Sequence, residues 1–519
     1  KTYEKEKNLF KIRCIHDDVI ERDLISKDVY VATALLGAYA KCGNIDTAKN
    51  IFKQIPVRNV VAWTALISGY VEHGLGHDAL KCFRKMQNEG IHPNIVTYVC
   101  ALKACGIVRC LEVGEVIEAE VRKQEILQKD VMLGTALVDM FAKCGSMKKA
   151  QEVFDELPIR NIVSWTALIA GYAEQGLINE TLKCFKQMQN EGISPNGVTY
   201  ACLLKAYGTA GSREIVQDIE AKVRKQGLLQ KDLVLGNALI IMYAKCGALD
   251  DAQNVFEQLP MQDVVSWTSL IYGYAEHGFS EEALEYFRQM QDKGICPSIV
   301  TYICILKACG NLGSLEVGEG INIEVRKQGL LEKDIMLSTT LVGMYAKCGA
   351  LKKAQEVFEE IPVHNVVSWT SLMAGYAQLG QTNDIFELYR KMRKENIVPN
   401  SVTFTVLLTA FSHGGLLEEG KMLLDEMCFI YDLTPELEHY ACMMDLFGRA
   451  GCFNVAEMFL EKVSSEDRLP LFLAILGACL KWNNVKLGRW AFEQSVLLDG
   501  NCGDAYVCME NICASQSQD

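Results

Sequence analysis

One feature of this sequence constrains its fold more than any other: a tryptophan motif that recurs at a fixed interval. V-A-W-T surrounds the first of these tryptophans, V-S-W-T surrounds the other three, and each follows the previous one by 102 positions: Trp63, Trp165, Trp267 and Trp369. The motif A-K-C-G recurs at the same interval and ends at Gly43, Gly145, Gly247 and Gly349. Self-similarity at a fixed period indicates stacked supersecondary units, none of which can bury its apolar face alone.

Each block of 102 residues divides into three units of 31, 35 and 36 residues, for example 131–161, 162–196 and 197–232. In the 35-residue unit, Trp165, Leu168, Ile169 and Tyr172 share one helical face, and Gly176 interrupts the pattern before a second apolar stripe. Each unit is therefore predicted to be a helical hairpin. Because repeated hairpins stack with a constant rotation, we expect an all-α fold, a right-handed superhelical solenoid.

The composition narrows the class of protein. Half of the 519 residues are apolar, yet no stretch approaches the roughly 18 to 20 consecutive apolar residues of a membrane span, so no membrane partner is expected. Twenty-one cysteines are present, and four of them recur in the A-K-C-G motif at Cys42, Cys144, Cys246 and Cys348. We expect these to lie in the middle of helices as small buried thiols, which favours a reducing or organelle interior over secretion.

The net charge of −13 and the isoelectric point near 5.3 argue against a nucleic-acid-binding protein, because such domains usually carry a basic face. The distribution of charge is more informative than the sum. Basic residues occupy the same place in five successive 31-residue units, at Lys41, Lys143, Lys245, Lys347 and Arg449. A solenoid would align them in a row that contacts phosphates. Alternatively, they are solvated residues near the negative ends of helix dipoles.

The motifs V-x-W-T-x-L-I-x-G-Y and L-x-x-Y-A-K-C-G, with the Asn or Asp that ends each unit, resemble the plant pentatricopeptide repeat family from residue 29 to about residue 467. The unit lengths resemble its PLS subclass, in which S-type, P-type and L-type units alternate. The resemblance implies a partial L-type repeat at 1–28, S-P-L triplets at 29–130, 131–232, 233–334 and 335–436, a last S-type repeat at 437–467, an E domain at 468–501 and a truncated second E unit at 502–519.

In that family each S-type or P-type unit reads one RNA base through its fifth and last residues. The resemblance therefore implies eight reading pairs: Thr33 with Asn59, Thr64 with Asn94, Thr135 with Asn161, Thr166 with Asn196, Asn237 with Asp263, Thr268 with Ser298, Thr339 with Asn365, and Thr370 with Asn400. The second residues of the P-type units share a helical face with the fifth and would sandwich bases: Val61, Val163, Val265 and Val367. The alternative interpretation of each Thr and Asn is a helix cap or turn residue.

The family's code assigns adenine to Thr with Asn and uracil to Asn with Asp. L-type units with Val99, Ala201 and Ile303 at the fifth place carry little base preference. The implied target, from 5′ to 3′, is A-A-n-A-A-n-U-x-n-A-A-n, where x lies under Thr268 and Ser298. Two departures from the code stay unassigned: Thr405 with Glu436, and Ala441 with Asp467.

The segment after residue 467 is similar to the E domain of RNA-editing factors, although Phe472 stands where that family usually has Trp. The deaminase signature is absent, because no histidine begins H-x-E and no C-x-x-C occurs. No carboxylate pair, nucleophile with a histidine, or phosphate loop stands out. We therefore expect no catalytic residue, no metal and no cofactor.

Three hypotheses for the function follow. The favoured one is a sequence-specific binder of single-stranded organelle RNA that positions a deaminase-bearing protein, and other editing factors, for C-to-U editing. The second is the same binder used in splicing, stabilisation or translation of an organelle transcript. The third is a helical scaffold for proteins. The sequence starts at Lys1 without a methionine, so we expect an upstream transit peptide to a mitochondrion or chloroplast that the sequence does not distinguish.

Overall fold

The computed structural model describes residues 2–22, 24–127, 130–207, 213–450, 468–482, 485–500 and 502–515. In these residues the regular secondary structure is entirely α-helical, arranged as successive hairpins, which confirms the predicted fold class. The chain forms two compact units, residues 1–262 and 263–519. None of the described helices is both long and apolar enough to cross a bilayer.

The first compact unit contains sixteen consecutive described helices, which the following ranges give in chain order: α1 Thr2–Glu21, α2 Leu24–Lys27, α3 Val29–Cys42, α4 Ile45–Gln54, α5 Val60–Glu72, α6 Gly76–Asn88, α7 Ile95–Val108, α8 Leu111–Lys123, α9 Val131–Lys143, α10 Met147–Asp155, α11 Ile162–Glu174, α12 Ile178–Asn190, α13 Gly197–Tyr207, α14 Arg213–Lys225, α15 Leu233–Lys245 and α16 Leu249–Gln258. From α3 onward, each odd-numbered helix is the first of a hairpin and each even-numbered helix the second.

The second compact unit continues in the same manner, and its described helices are α17 Val264–Glu276, α18 Ser280–Asp292, α19 Ile299–Leu312, α20 Leu315–Lys327, α21 Ile335–Lys347, α22 Leu351–Glu359, α23 Val366–Gln378, α24 Thr382–Lys394, α25 Ser401–Gly414, α26 Leu417–Phe429, α27 Leu437–Ala450, α28 Arg468–Trp482, α29 Val485–Leu498 and α30 Gly503–Ser515. The last three of these helices pack on one another.

Within each compact unit, the first helix of a hairpin packs against the first helix of the next hairpin and against its own second helix. The recurring tryptophans join the hairpins. Trp63 and Trp165 are each 1% exposed, and each ring meets edge-on a phenylalanine from the preceding hairpin, Phe52 or Phe154, with ring centroids 4.6 Å apart. Edge-to-face geometry is favourable for aromatic pairs. The tryptophan thus anchors one hairpin of every block, the 35-residue one, on the hairpin that precedes it.

The glycine of the L-I-x-G-Y motif lets successive first helices approach closely. A Cβ placed on Gly171 would lie 2.5 Å from the Cβ of Ala142, and one on Gly375 would lie 2.5 Å from the Cβ of Ala346. Real Cβ atoms do not pack at that distance, so a larger residue would push the helices apart. The glycine therefore sets the spacing between neighbouring first helices.

The cysteines of the A-K-C-G motif are not in the middle of helices, so that prediction was wrong. Cys42 is the last residue of α3, while Cys144, Cys246 and Cys348 cap the C-terminal ends of α9, α15 and α21. The helices end there because the glycine that follows adopts the left-handed conformation, with φ of 90° at Gly43. These thiols are half-buried, and all described cysteines are free.

Candidate nucleic-acid interface

The two residues of each reading pair lie at different places in the hairpins. The fifth residue lies in the second turn of a first helix, where Thr64, Thr166 and Thr370 are 8–9% exposed. The last residue lies directly before the next first helix and caps it. Its side chain accepts backbone N–H groups of that helix's first turn, as Asn94 does from Thr97 and Asn161 does from Val163 and Ser164. The predicted cap role is therefore present.

Capping fixes the orientation of the amide. In Asn94, Oδ1 accepts the backbone N–H of Thr97 at 2.8 Å, and in Asn400 it accepts that of Thr403 at 3.0 Å. An amide oxygen occupied in this way directs the Nδ2 group elsewhere. The Nδ2 groups of Asn94 and Asn400 donate to no protein atom in the described parts of the chain, and both residues are exposed. Each asparagine thus caps a helix with one end and offers two donors with the other.

In the P-type units, a third residue connects the members of each pair. Thr64 Oγ1 lies 2.6 Å from Thr97 Oγ1, which in turn donates to Asn94 Oδ1 at 2.8 Å. The same bridge recurs three times, through Thr199 between Thr166 and Asn196 (2.8 and 2.9 Å), through Thr301 between Thr268 and Ser298 (2.7 and 2.9 Å), and through Thr403 between Thr370 and Asn400 (3.0 and 2.9 Å). Our sequence interpretation missed these threonines, although V-T-Y or V-T-F recurs around each of them.

Among the described residues, no such bridge joins the S-type pairs of Thr33, Thr135 and Thr339. The buried hydroxyls of Thr33 and Thr339 have no hydrogen-bond partner, and the hydroxyl of Thr135 donates to the Val131 carbonyl of its own helix at 2.7 Å. Asn237, which is 6% exposed, and Asp263 lie in different compact units. Asp263 Oδ1 accepts the backbone N–H groups of Val265 and Ser266.

The four predicted sandwiching valines are exposed, with Val61 at 52%, Val163 at 59%, Val265 at 45% and Val367 at 54%. The same is true of the second residue in the S-type and L-type units, which the sequence interpretation did not name. These residues are all large, apolar and at least half exposed: Tyr30, Val96, Met132, Val198, Val234, Val300, Met336 and Val402. Within each compact unit, exposed apolar side chains at this position of successive hairpins offer surfaces on which bases could stack. The unit 437–467 is an exception, because its second residue is Glu438.

Two grooves bring these residues together. One, of about 380 Å³, is lined by Tyr30, Thr33, Lys41, Asn59 and Val61 among others. The second, of about 570 Å³, lies at the corresponding place three blocks later and is lined by Met336, Thr339, Lys347, Asn365 and Val367 among others. Each groove therefore holds a complete reading pair, the apolar second residues on either side of it, and one lysine of the basic row.

The structure describes four of the five predicted phosphate-contacting residues. Lys41, Lys143, Lys245 and Lys347 lie in the last turn of their first helices, so the dipole interpretation also holds for them. Lys143 pairs with Asp139 at 2.7 Å, and Lys347 donates to Asn311 at 2.9 Å. The side chain of Arg449 and the whole of Asp467 lie outside the described residues.

The described residues contain no group of three or more His, Cys, Asp or Glu side chains that could hold a metal ion. The buried cysteines are poor nucleophiles, because burial raises the pKa of the Cys105 and Cys309 thiols to about 12. The chemistry available in the grooves is hydrogen bonding, stacking and phosphate contact.

Comparison with known proteins gives consistent matches. The model of the PPR repeat family matches residues 58–106, 160–209, 262–311 and 364–413, and a single PPR repeat matches 30–60, 135–162, 237–264, 338–366 and 402–429. A mitochondrial pentatricopeptide repeat-containing protein of Arabidopsis thaliana is 35% identical over 494 residues, which are 95% of this chain and 71% of the relative. A chloroplastic one is 33% identical over 94% of this chain and 60% of the relative.

Some solved structures have a fold similar to that of this chain. The pentatricopeptide repeat protein PPR10 from maize aligns with a TM-score of 0.56 over 94% of this chain and 82% of that chain, at 17% identity. PPR10 in complex with an 18-nucleotide psaJ RNA element aligns with a TM-score of 0.60 over 94% of this chain and 73% of that chain, at the same identity.

Proposed function

This chain belongs to the PPR repeat family, and from that premise we propose that it binds single-stranded RNA in a base-specific manner in a plant mitochondrion or chloroplast. The observation that carries the proposal is the composition of the two grooves. Each combines a reading pair, flanking apolar side chains and a lysine. An unpaired base could stack between the apolar side chains while the pair contacts its Watson–Crick edge and the lysine contacts a phosphate.

The oriented amide accounts for the choice of adenine. Adenine presents an amino group, which donates, beside N1, which accepts. Asn94 directs Nδ2 away from its capped helix and can donate to N1, while the Thr64 oxygen can accept from the amino group. Asp263 supplies an acceptor in place of that donor, which favours the N–H of uracil and repels adenine N1. The predicted target is A-A-n-A-A-n-U-x-n-A-A-n.

A binding experiment tests this proposal. We expect the protein to bind an RNA with the predicted target at least about a hundredfold more tightly than an RNA with pyrimidines at the six predicted adenines, since a good base contact contributes about 1–3 kcal/mol. Changing only the bases under the L-type units should alter the affinity less than about threefold on the same scale. Equal binding of the predicted and the pyrimidine RNA would favour the protein scaffold.

For the biological role we propose recognition of a C-to-U editing site, with the deaminase supplied by another protein. The support is the C-terminal segment that resembles an E domain. Its helices α28, α29 and α30 expose several apolar side chains that a protein partner could cover: Leu480, Leu497, Leu498, Tyr506 and Val507.

Sequencing of organelle RNA from plants that lack this protein tests the editing role. We expect at least one cytidine close to a match of the predicted target to stay unedited, while transcript ends and introns are unchanged. Normal editing together with a defective splice junction, transcript end or translation product would instead support the second RNA-processing hypothesis.

A further inference from the structure

The threonine at the third position of each L-type unit is buried beneath the P-type reading pair that precedes it. Thr97, Thr199, Thr301 and Thr403 are each 0% exposed, so none of them can touch RNA. Each nevertheless forms hydrogen bonds with both members of a pair, as Thr97 does with Thr64 and Asn94. These four residues can act on a bound base only through the two side chains that they hold.

The direction of the hydrogen bonds in this bridge follows from the capabilities of the groups. Asn94 Oδ1 only accepts, so the hydroxyl proton of Thr97 is donated to it. The proton of Thr64 then goes either to Thr97 Oγ1, at 2.6 Å, or to the Val60 carbonyl of its own helix, at 2.7 Å. In both cases the proton of Thr64 stays inside the protein, and toward a base its oxygen can act as an acceptor only.

Two S-type pairs differ in this respect. The hydroxyls of Thr33 and Thr339 are buried without a partner within the described residues, so neither has donated its proton to the protein, and each could act as donor or acceptor toward a base that reaches it. Such a hydroxyl can accept from the adenine amino group and can equally donate to guanine O6 or uracil O4. A hydroxyl whose proton is already donated to the protein cannot donate to guanine O6 or uracil O4.

We propose that Thr97, Thr199, Thr301 and Thr403 are positioning residues that determine base specificity, and that they make P-type units reject guanine and uracil more sharply than the S-type units of Thr33 and Thr339 do. This inference rests on the proposed RNA-binding function and deepens it. In the first block, the second base of the target, under Thr64 and Asn94, should be read more stringently than the first base, under Thr33 and Asn59.

The test uses Thr97→Val, which removes the hydroxyl at nearly constant volume, and Thr97→Ser, which retains it. Affinities are measured for the predicted target and for RNAs with guanine or uracil at the first base or at the second base. For the unmodified protein, we expect the preference for adenine to be greater at the second base. Thr97→Val removes one of the two groups that orient the Asn94 amide, so the amide can turn and offer its oxygen to the N–H of guanine or uracil. The preference at the second base should therefore fall by about threefold to tenfold, the scale of one hydrogen bond, while the preference at the first base should not change. Thr97→Ser should retain the preference for adenine at the first base and at the second base.

A merely structural role gives a different result. If Thr97→Val weakens binding of every RNA by the same factor, or leaves the preference at the second base unchanged, the inference is wrong. Thr403→Val repeats the test in the second compact unit, comparing the eleventh base, under Thr370 and Asn400, with the tenth, under Thr339 and Asn365. If the unmodified protein shows no preference at any base, the proposed function itself fails.

Discussion

A residue that caps a helix can also contact a ligand. Asn94 and Asn400 cap a helix with the amide oxygen, so the two interpretations that the sequence left open, cap and base contact, are compatible. The resemblance to the family implied where the pairs lie in the sequence, but it did not imply the orientation of the amide. That orientation depends on which backbone N–H lies within reach, which only the three-dimensional structure shows.

The unpartnered hydroxyl of Thr339 gives a prediction at the residue scale. Thr339→Val should leave the free energy of unfolding unchanged or raise it slightly, because it removes a buried polar atom without a partner. The preference for adenine at the tenth base should nevertheless fall. Urea unfolding and competition binding measure the two effects. A clear loss of stability would show that the hydroxyl has a structural role.

The buried thiols give a second residue-scale prediction. Since burial raises the pKa of Cys105 and Cys309 to about 12, both should remain protonated at pH 8 and resist iodoacetamide in the folded protein. The exposed thiols of Cys14 and Cys296 should react under the same conditions. Mass spectrometry of the alkylated protein, with a urea-unfolded sample as the control, decides the matter. Equal labelling of the two buried and the two exposed thiols in the folded protein would contradict the prediction.

At the scale of elements, the first helices form the layer that places the reading pairs, and close helix contacts determine their spacing. The periodicity of the sequence predicted helical hairpins and most of the buried stripe correctly. It failed at the ends of the helices, where Cys144 was predicted to lie inside a helix but is its cap. Apolar spacing does not show where a left-handed glycine stops a helix, since the pattern continues through the turn.

The close contact at Gly375 gives a prediction at this scale. Gly375→Ala should lower the free energy of unfolding by about 1–3 kcal/mol, because the new methyl group would overlap Ala346. Gly343→Ala in the same block is the matched control, since its nearest neighbour is 3.9 Å away. A helical glycine with that space should gain about 0.5–1 kcal/mol on change to alanine. Urea unfolding measures the change in the free energy of unfolding for each variant. Similar changes for Gly375→Ala and Gly343→Ala would show that the close helix contact at Gly375 does not limit the side chain there.

At the scale of the whole molecule, a net charge of −13 and an RNA ligand are compatible if basic residues are concentrated along the grooves. Many of the acidic residues pair with basic ones outside the grooves, as Glu115 does with Lys149 and Glu360 with Arg326. The composition alone argued against nucleic acid, because a sum over the chain does not show where the charges lie. The repeat of Lys41 through Lys347 is the feature of the sequence that favours an RNA ligand, and its contact with phosphates stays a prediction.

Salt dependence tests the basic row. If the five basic residues each contact one phosphate, the affinity for single-stranded RNA should fall with salt at a log–log slope of about −3.5. Lys347→Ala should make the slope less negative by about 0.7 without changing base preference. Lys353→Ala is the control, because Lys353 pairs with Glu319 and does not line the groove. A slope near zero, or an equal change of slope in the two variants, would contradict the prediction that the basic row contacts phosphates.

The measurement that tests the central claim most directly is a change of base preference at the seventh unit. Asn237→Thr with Asp263→Asn gives this unit the pair that six other units carry, and Asn retains the helix cap that Asp263 supplies. Binding of two RNAs that differ only at the seventh base, uracil or adenine, is compared for both proteins at one salt concentration. We predict that preference moves from uracil to adenine by about 1–3 kcal/mol, roughly five- to hundredfold in relative affinity, with the preference at the fifth base unchanged. An unchanged ratio at the seventh base would mean that these side chains do not read RNA.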